Sequence, residues 1–335
     1  MSALPTPSRW LDPAWQESAL GWADEVLASL GQRRRGWSHP HVRPWSTVLR
    51  IETDDDPVWL KAPGDGARVE VGLLALLADL ELPWTPRPLA LDRERSWALL
   101  PDGGEVSRVA HGGRTPVAVM TEHLVRYAEV QRRLEPHVEA LLSLGLGDLR
   151  PPALPRVLGE RIGSLEQERP PARLSTEDAT RLRAVLPAYA EACAELAAGG
   201  IAPTLNHDDL HDANILARGP VIIDWGDSCV SHPFGTLLAT MRSMASQHGV
   251  GVDDPMFARV ADAYTEPWSD VADRSTLRRQ AALAIRVGPV TRSMSYLHAL
   301  TGVDDEAWQE HGDAMPSWLL EILEPTLPLL PALLR

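Results

Sequence analysis

Apolar residues recur at helical spacing over residues 11–31, where Leu11, Trp15, Leu20, Val26, Leu27 and Leu30 mark a stripe and Asp12-Pro13 supplies a start signal. From Pro44 the pattern becomes strand-like. Residues 46–52 and 58–62 read as strands, 69–80 as a buried helix, and 88–92 and 96–100 as two further strands. Pro101-Asp102-Gly103-Gly104 breaks the pattern and reads as a hinge. Beyond it the chain is mostly helical. Residues 116–146 carry Val119, Leu124, Tyr127, Val130, Leu134, Val138 and Leu142 at helical spacing, another helix covers 176–198, and helices occupy much of 235–335. A short β excursion interrupts them at 205–224. The pattern therefore predicts an α+β architecture with a small β-rich lobe over 1–100, a hinge at 101–104 and a large helical lobe over 105–335.

Composition and charge narrow the classes of function. A chain of 335 residues has material for roughly two lobes with cores of their own. No apolar run is long enough to span a membrane, and Met1-Ser2-Ala3-Leu4-Pro5 lacks the basic and apolar regions of a signal peptide. Cys193 and Cys229 form neither a disulfide framework nor a zinc spacing, so a cytoplasmic protein is expected. The net charge of −14 would repel a phosphate backbone, which argues against a nucleic-acid partner and adds a weak reason to favour a cationic small molecule. The basic run Arg33-Arg34-Arg35 reads as a solvated helix end.

One basic residue stands apart. Lys61 is the only lysine among 32 basic side chains, in an apolar strand pattern where arginine has replaced lysine everywhere else. A compact ammonium contacting phosphate oxygens as a point charge is hard to replace with a planar guanidinium. Glu70 follows nine residues later at the start of a helix. A strand lysine followed by a helix glutamate is the arrangement that orients a phosphate-binding lysine in kinase-type sites.

The densest chemistry lies in the β excursion. His207-x-Asp209-x-x-x-x-Asn214 has the spacing of a phosphoryl-transfer loop, and a second strand, Val221-Ile222-Ile223, leads to Asp224-Trp225-Gly226-Asp227. Such a loop needs a carboxylate that accepts a hydrogen bond from the acceptor hydroxyl. It also needs an amide and a carboxylate on the metal that bridges the phosphates. Asn214, Asp224 and Asp227 offer hard oxygen ligands, suited to Mg²⁺ rather than zinc. Register selects Asp209 over its neighbour Asp208, because only Asp209 fits both spacings. Asp208 is expected to cap the turn or bind substrate. A metallohydrolase using His207, Asp208, Asp209, His211 and Asp212 competes for the same cluster, but leaves Lys61, Asn214 and Asp224 unexplained.

These residues together resemble the aminoglycoside phosphotransferase family, the small-molecule branch of the protein-kinase-like bilobal fold. The family's usual loop is H-G-D-L-H-x-x-N, and this chain has Asp208 in place of the glycine. The resemblance runs from about Trp45 to about Gly235. It implies Asp209 as catalytic base or hydroxyl-positioning residue, with Asn214 and Asp224 on Mg²⁺, and Asp227 within reach. Lys61 would contact the nucleotide phosphates while pairing with Glu70. The backbone near Leu99, Leu100 and Asp102 would bind adenine, and His207 would brace the loop.

One family feature is missing. The first hairpin, Arg43-Pro44-Trp45-Ser46-Thr47-Val48-Leu49, contains no glycine, so Ser46 and Thr47 are expected to serve the phosphates instead. The donor is left open between ATP and GTP. An antibiotic or amino sugar is the leading acceptor, with Asp208 and Asp212 as candidate contacts and Glu266, Asp270 and Asp273 as more distant ones. A metabolic sugar, amino alcohol or nucleoside is the runner-up, and a non-catalytic nucleotide-binding module remains an alternative. Most of the twelve tryptophans, Trp225 among them, are expected in the core.

Overall fold

The computed structural model describes residues 4–251 and 253–323. Five antiparallel strands form the N-terminal sheet in the order β1-β2-β3-β5-β4: β1 (Gly36–Arg43), β2 (Ser46–Glu52), β3 (Val58–Pro63), β4 (Ala90–Asp92) and β5 (Trp97–Pro101). Strand alternation decides what each side chain meets. Leu49 and Ile51 of β2 and Val58, Leu60 and Ala62 of β3 point to one face and pack against Ala19, Leu20, Ala23 and Leu27 of the helix Pro13–Ser29. The intervening residues Val48, Trp59 and Lys61 point to the other face and line a cleft. Lys61 sits opposite Val48 on β2 and Ala98 on β5, so its backbone is held from both sides.

The helix Val69–Asp79 lies on that second face. Its Leu73, Leu74 and Leu77 belong to the same core as the helical lobe, which ties the two lobes together through apolar contact. β2 has the bounds expected of it, whereas β1 was not expected at all. That strand pairs only with β2, and its residues are largely polar with Pro40 inside, a composition an edge strand tolerates. The arginine run lies beyond the end of the Pro13–Ser29 helix rather than in it. Arg34 pairs with Asp24 at 2.7 Å, and Arg35 pairs with Asp54.

In the helical lobe, the single helix expected over 116–146 is two. Val117–Leu134 ends in a 3₁₀ turn, Glu135–His137, and Val138–Ser143 follows. Pro136 has no N–H for the helical ladder, which accounts for the break. The helix Thr176–Ala198 has the expected bounds and is capped by Ser175, whose Oγ accepts from Asp178 N. The β excursion extends further than expected. β6 (Gly147–Asp148) and β7 (Thr204–Asn206) flank β10 (Cys229–Ser231), while β8 (Ile215–Leu216) and β9 (Val221–Ile222) form a separate hairpin. Six helices of seven residues or more lie between Leu237 and Leu320; residues 324–335 of the expected C-terminal helices fall outside the described residues.

Two long-range features shape the site. Residues 6–10 clasp both lobes. Thr6 Oγ1 donates to the Pro44 carbonyl in the β1–β2 turn at 2.7 Å, while Thr6 N donates to Gly302 O and Asp304 N donates to Thr6 O. Ser8 Oγ donates to Asp304, and Arg9 pairs with Asp65. The helix Pro289–Ala299 buries an unusually polar face, with Thr291, Arg292, Ser293 and Ser295 all nearly inaccessible. That face lies under the 205–214 loop.

Candidate active site

The cation of the site is fixed by three elements. Lys61 Nζ on β3 donates to Glu70 Oε1 of the Val69–Asp79 helix and to Asp224 Oδ1, both at 2.6 Å. Glu70 Oε1 also accepts from Trp225 N at 2.9 Å, so the glutamate bridges the lysine and the Asp224 turn. Burial alone would lower Lys61, but Asp224 and Glu70 outweigh it and raise its pKa, so the ammonium stays charged. Asp224 adopts φ 65°, a left-handed conformation uncommon outside glycine, which turns its carboxylate back toward the lysine.

The hairpin β8–β9 and the preceding loop set the second group. Asn214 Nδ2 donates to the Asp209 carbonyl at 3.0 Å, which leaves its Oδ1 free. His207 is fully buried, donates from Nε2 to the Ile223 carbonyl at 2.9 Å, and packs tilted at 53° against the Trp225 ring with centroids 4.8 Å apart. Because a carbonyl only accepts, Nε2 carries the proton, and burial holds the ring neutral by lowering its pKa. This ring braces the loop between Asp209 and Asp224. Its backbone N–H donates to Tyr127 Oη at 2.8 Å.

Asp209 faces an arginine that sequence reasoning missed. Arg292 Nη2 lies 3.2 Å from Asp209 Oδ1, while its Nη1 donates to Asp227 Oδ2 at 3.1 Å and to the Asp208 carbonyl at 2.8 Å. Burial pushes the Asp209 carboxyl up, but Arg292 and His211 overcome it and bring it down to about 2. It is therefore ionised throughout the neutral range, as a group that accepts a hydroxyl hydrogen bond must be. Burial and the neighbouring carboxylates carry Asp227 up to about 7 despite Arg292. No motif marks Arg292 in the sequence. Its only local signal is that a small, polar face recurs through 291–295 in a helix that must bury something.

Asp208 and Asp212, expected as substrate contacts, are placed elsewhere. Asp208 is 2% exposed; its Oδ1 accepts from Thr291 Oγ1 at 2.7 Å and from Asn206 Nδ2, and its Oδ2 accepts from Ser295 Oγ at 2.8 Å. It locks the loop to the Pro289–Ala299 helix. Its φ of 62° explains why the family pattern has glycine there. Asp212 is equally buried and accepts from Arg108 and from Gln247 Nε2. Neither carboxylate lines the two cavities of the site, and Asp212 borders a separate space of about 10 Å³. Asp270 pairs with Arg132, Asp273 caps the Arg274–Val287 helix, and both lie at the surface.

The remaining expected contacts divide. Ser46 lies between the two cavities of the site, its Oγ 3.3 Å from His41 Nε2. Thr47 points away, fully buried, with its hydroxyl donating to the His41 carbonyl and meeting His39 Nε2 at 2.5 Å. Leu100 and Asp102 line the far end of the cleft, where the Asp102 carboxylate accepts from Trp59 Nε1 at 2.8 Å and from Gly104 N. This cleft, about 510 Å³, runs from Leu100 and Gly103 past Trp59 and Leu216 to Lys61, Asn214 and Asp224. On the other side of Asp224, a pocket of about 90 Å³ is lined by Trp45, Asp209, Asp227, Arg292, Ser295 and Tyr296. Among the described residues, no three His, Cys, Asp or Glu side chains are grouped to hold a metal, which removes the metallohydrolase alternative's ligand cluster. No helix of the described residues is long and apolar enough to cross a membrane.

An elongated cleft ending at a lysine–glutamate–aspartate triad, with an ionised aspartate beyond it, defines a phosphotransferase of the protein-kinase-like fold. The model of the phosphotransferase enzyme family matches residues 45–278, and the chain belongs to that family. Its acceptor group is an alcohol on a small molecule. No curated protein matches the chain in sequence. Among solved structures, it is similar to a choline kinase from Cryptosporidium parvum Iowa II (10% identity, 96% of this chain and 100% of that one, TM-score 0.59). It is also similar to an ethanolamine kinase from Plasmodium vivax (12% identity, 86% and 83%, TM-score 0.57). A macrolide 2′-phosphotransferase from Brachybacterium faecium is a third (17% identity, 91% and 98%, TM-score 0.56). At these identities the likeness is one of fold.

Proposed function

We propose that the protein transfers the terminal phosphate of ATP or GTP to a hydroxyl of a small acceptor, with Asp209 taking the hydrogen bond of that hydroxyl. The observation that carries this reading is the Lys61–Glu70–Asp224 triad at 2.6 Å, set between the cleft and the Asp209 carboxylate. The base of the nucleotide would lie against Leu100 and Leu216, its phosphates near Ser46 and Lys61. The donor set fits Mg²⁺: Asn214 keeps a free amide oxygen, and Asp224 uses one carboxylate oxygen on Lys61 and retains the other. Bound there, Mg²⁺ would neutralise phosphate charge. Asp227 is held by Arg292, so Asn214 and Asp224 are the principal ligands in this reading.

The acceptor would enter the pocket beyond Asp209. An antibiotic or amino sugar remains open on the family's breadth, whereas the volume of about 90 Å³ favours a small metabolic alcohol. Calorimetry with ATP and GTP, with and without Mg²⁺, tests the donor site. A panel of aminoglycosides, macrolides, amino sugars, nucleosides and amino alcohols, assayed for ADP and GDP release, tests the acceptor. Nucleotide affinity indifferent to Mg²⁺, together with no turnover of any panel member, would point to a non-catalytic binding module instead.

A further inference from the structure

The acceptor pocket already contains a cation. Arg292 is 6% exposed and reaches Asp208, Asp209 and Asp227 at once, so it is fixed in place by backbone and carboxylate oxygens rather than free to swing. Its guanidinium also lies 5.7 Å from the Tyr296 ring centroid and 5.5 Å from that of Trp318, both within the range of cation–π attraction. Trp318 holds a second guanidinium, that of Arg242, at 4.5 Å. Aromatic faces of this kind are used to hold quaternary ammonium ligands. Here those faces are taken by the chain itself.

The carboxylates are similarly committed. Glu70 and Asp224 share Lys61, while Asp209 and Asp227 share Arg292. Asp208 is also saturated by Thr291, Ser295 and Asn206. An acceptor ammonium brought to Asp209 would have to share that carboxylate with a buried arginine whose Nη2 already lies 3.2 Å from Oδ1 and whose Nη1 is held by Asp227 and the Asp208 carbonyl. The net charge of −14 acts over the whole surface and does not change this local balance.

We propose that Arg292 fills, from within the chain, the position that the cationic head of an acceptor would take, so that the acceptor is neutral or anionic beside its reactive hydroxyl. This rests on the phosphotransferase reading above and adds the charge class of its substrate.

The test uses tetramethylammonium and methylguanidinium as probes, titrated by calorimetry into the native protein and into Arg292→Ala. The vacated cage should bind both ions at least about tenfold more tightly than the native protein does, the order expected of a desolvated cation–π contact. Arg292→Gln, which leaves a smaller void, repeats the measurement if the alanine variant does not fold. Native protein that binds tetramethylammonium as tightly as the variants overturns the proposal, as does a folded variant with no gain. Choline and its neutral isostere 3,3-dimethylbutan-1-ol, offered as acceptors, give a second reading: native turnover of choline in preference to the neutral alcohol also overturns it. Mg²⁺-dependent nucleotide binding is measured on the same native sample. Its absence would sink the phosphotransferase reading, whatever the ion titrations show.

Discussion

The two sides of the candidate centre differ in how clearly the sequence marks their residues. The proposed nucleotide side is a cleft of about 510 Å³ whose key residues carry local signatures, although Lys61 and Asp224 meet there across 163 residues of chain. Period-two alternation on β2 and β3 turns Val48, Trp59 and Lys61 into it, and one loop and one hairpin bring Asn214 and Asp224. The acceptor side is a pocket of about 90 Å³ whose walls come from four distant stretches of chain. Trp45, Asp209, Asp227 and Arg292 meet there only because the Pro289–Ala299 helix lies under the loop and the clasp at Thr6 holds the β1–β2 turn down. The residues of the proposed donor site can be marked by short-range patterns even though the fold brings them together over long range. A site for a particular acceptor depends on contacts that no short motif carries.

The largest effect should separate the two sides. Asp209→Ala removes the group proposed to accept the hydroxyl hydrogen bond, and turnover should fall by about 10²–10⁴-fold while nucleotide affinity changes little. Lys61→Arg should instead affect both quantities. The larger planar guanidinium cannot meet Glu70 and Asp224 in the same space, so nucleotide affinity should weaken together with turnover, by about 10²-fold overall. Steady-state kinetics paired with nucleotide titration measures both. Full activity in Asp209→Ala with any accepted acceptor would remove the basis for the assignment.

What is legible in the sequence follows the same division. Lys61, Glu70, Asp209, Asn214 and Asp224 stand out because strand and helix patterns fix their spacing locally, and the fold brings them around one centre. Substrate roles for Asp208 and Asp212 rest only on proximity in sequence and loose charge. The side chains that occupy them, Thr291, Ser295 and Arg108, lie 83, 87 and 104 residues away. Arg292 is invisible for the same reason. β1 escapes notice because an exposed edge strand has no apolar alternation, and the helix break at Pro136 does so because helical spacing of apolar residues continues on both sides of it.

A middle-sized effect should open the acceptor side alone. Thr6→Val removes the hydroxyl that donates to Pro44, and Ser8→Ala removes a contact to Asp304. A net hydrogen bond contributes about 1 kcal/mol, so each substitution should shift the closed-to-open balance of the clasp by about fivefold. Hydrogen exchange at the Thr6 and Asp304 amides, which bond across the clasp, should quicken by that factor. The Lys61 amide on β3 should keep its rate. Equal acceleration at both places would mean that the clasp is part of the general fold rather than a closure of the acceptor pocket.

The smallest effect concerns Asp208, where backbone strain and hydrogen bonding oppose one another. A left-handed residue other than glycine carries a penalty of about 1–2 kcal/mol, which Asp208→Gly would relieve. The same change removes an acceptor from the Asn206 amide and from the Thr291 and Ser295 hydroxyls, which keep the Gly288 and Thr291 carbonyls, at a cost of about 1–3 kcal/mol together. The lost hydrogen bonds should win narrowly, because three partners lose a bond to Asp208 for one strained residue relieved. The midpoint of thermal unfolding should therefore fall by about 1–2 °C, as expected for about 1 kcal/mol in a protein of 335 residues. Turnover should change by less than about threefold, since Arg292 and Asn214 still hold the Asp209 segment. A rise in the midpoint would show that backbone strain outweighs the lock. Asp208→Asn, which keeps an acceptor oxygen and tolerates the left-handed region, should fall between glycine and the native residue if hydrogen bonding decides the balance.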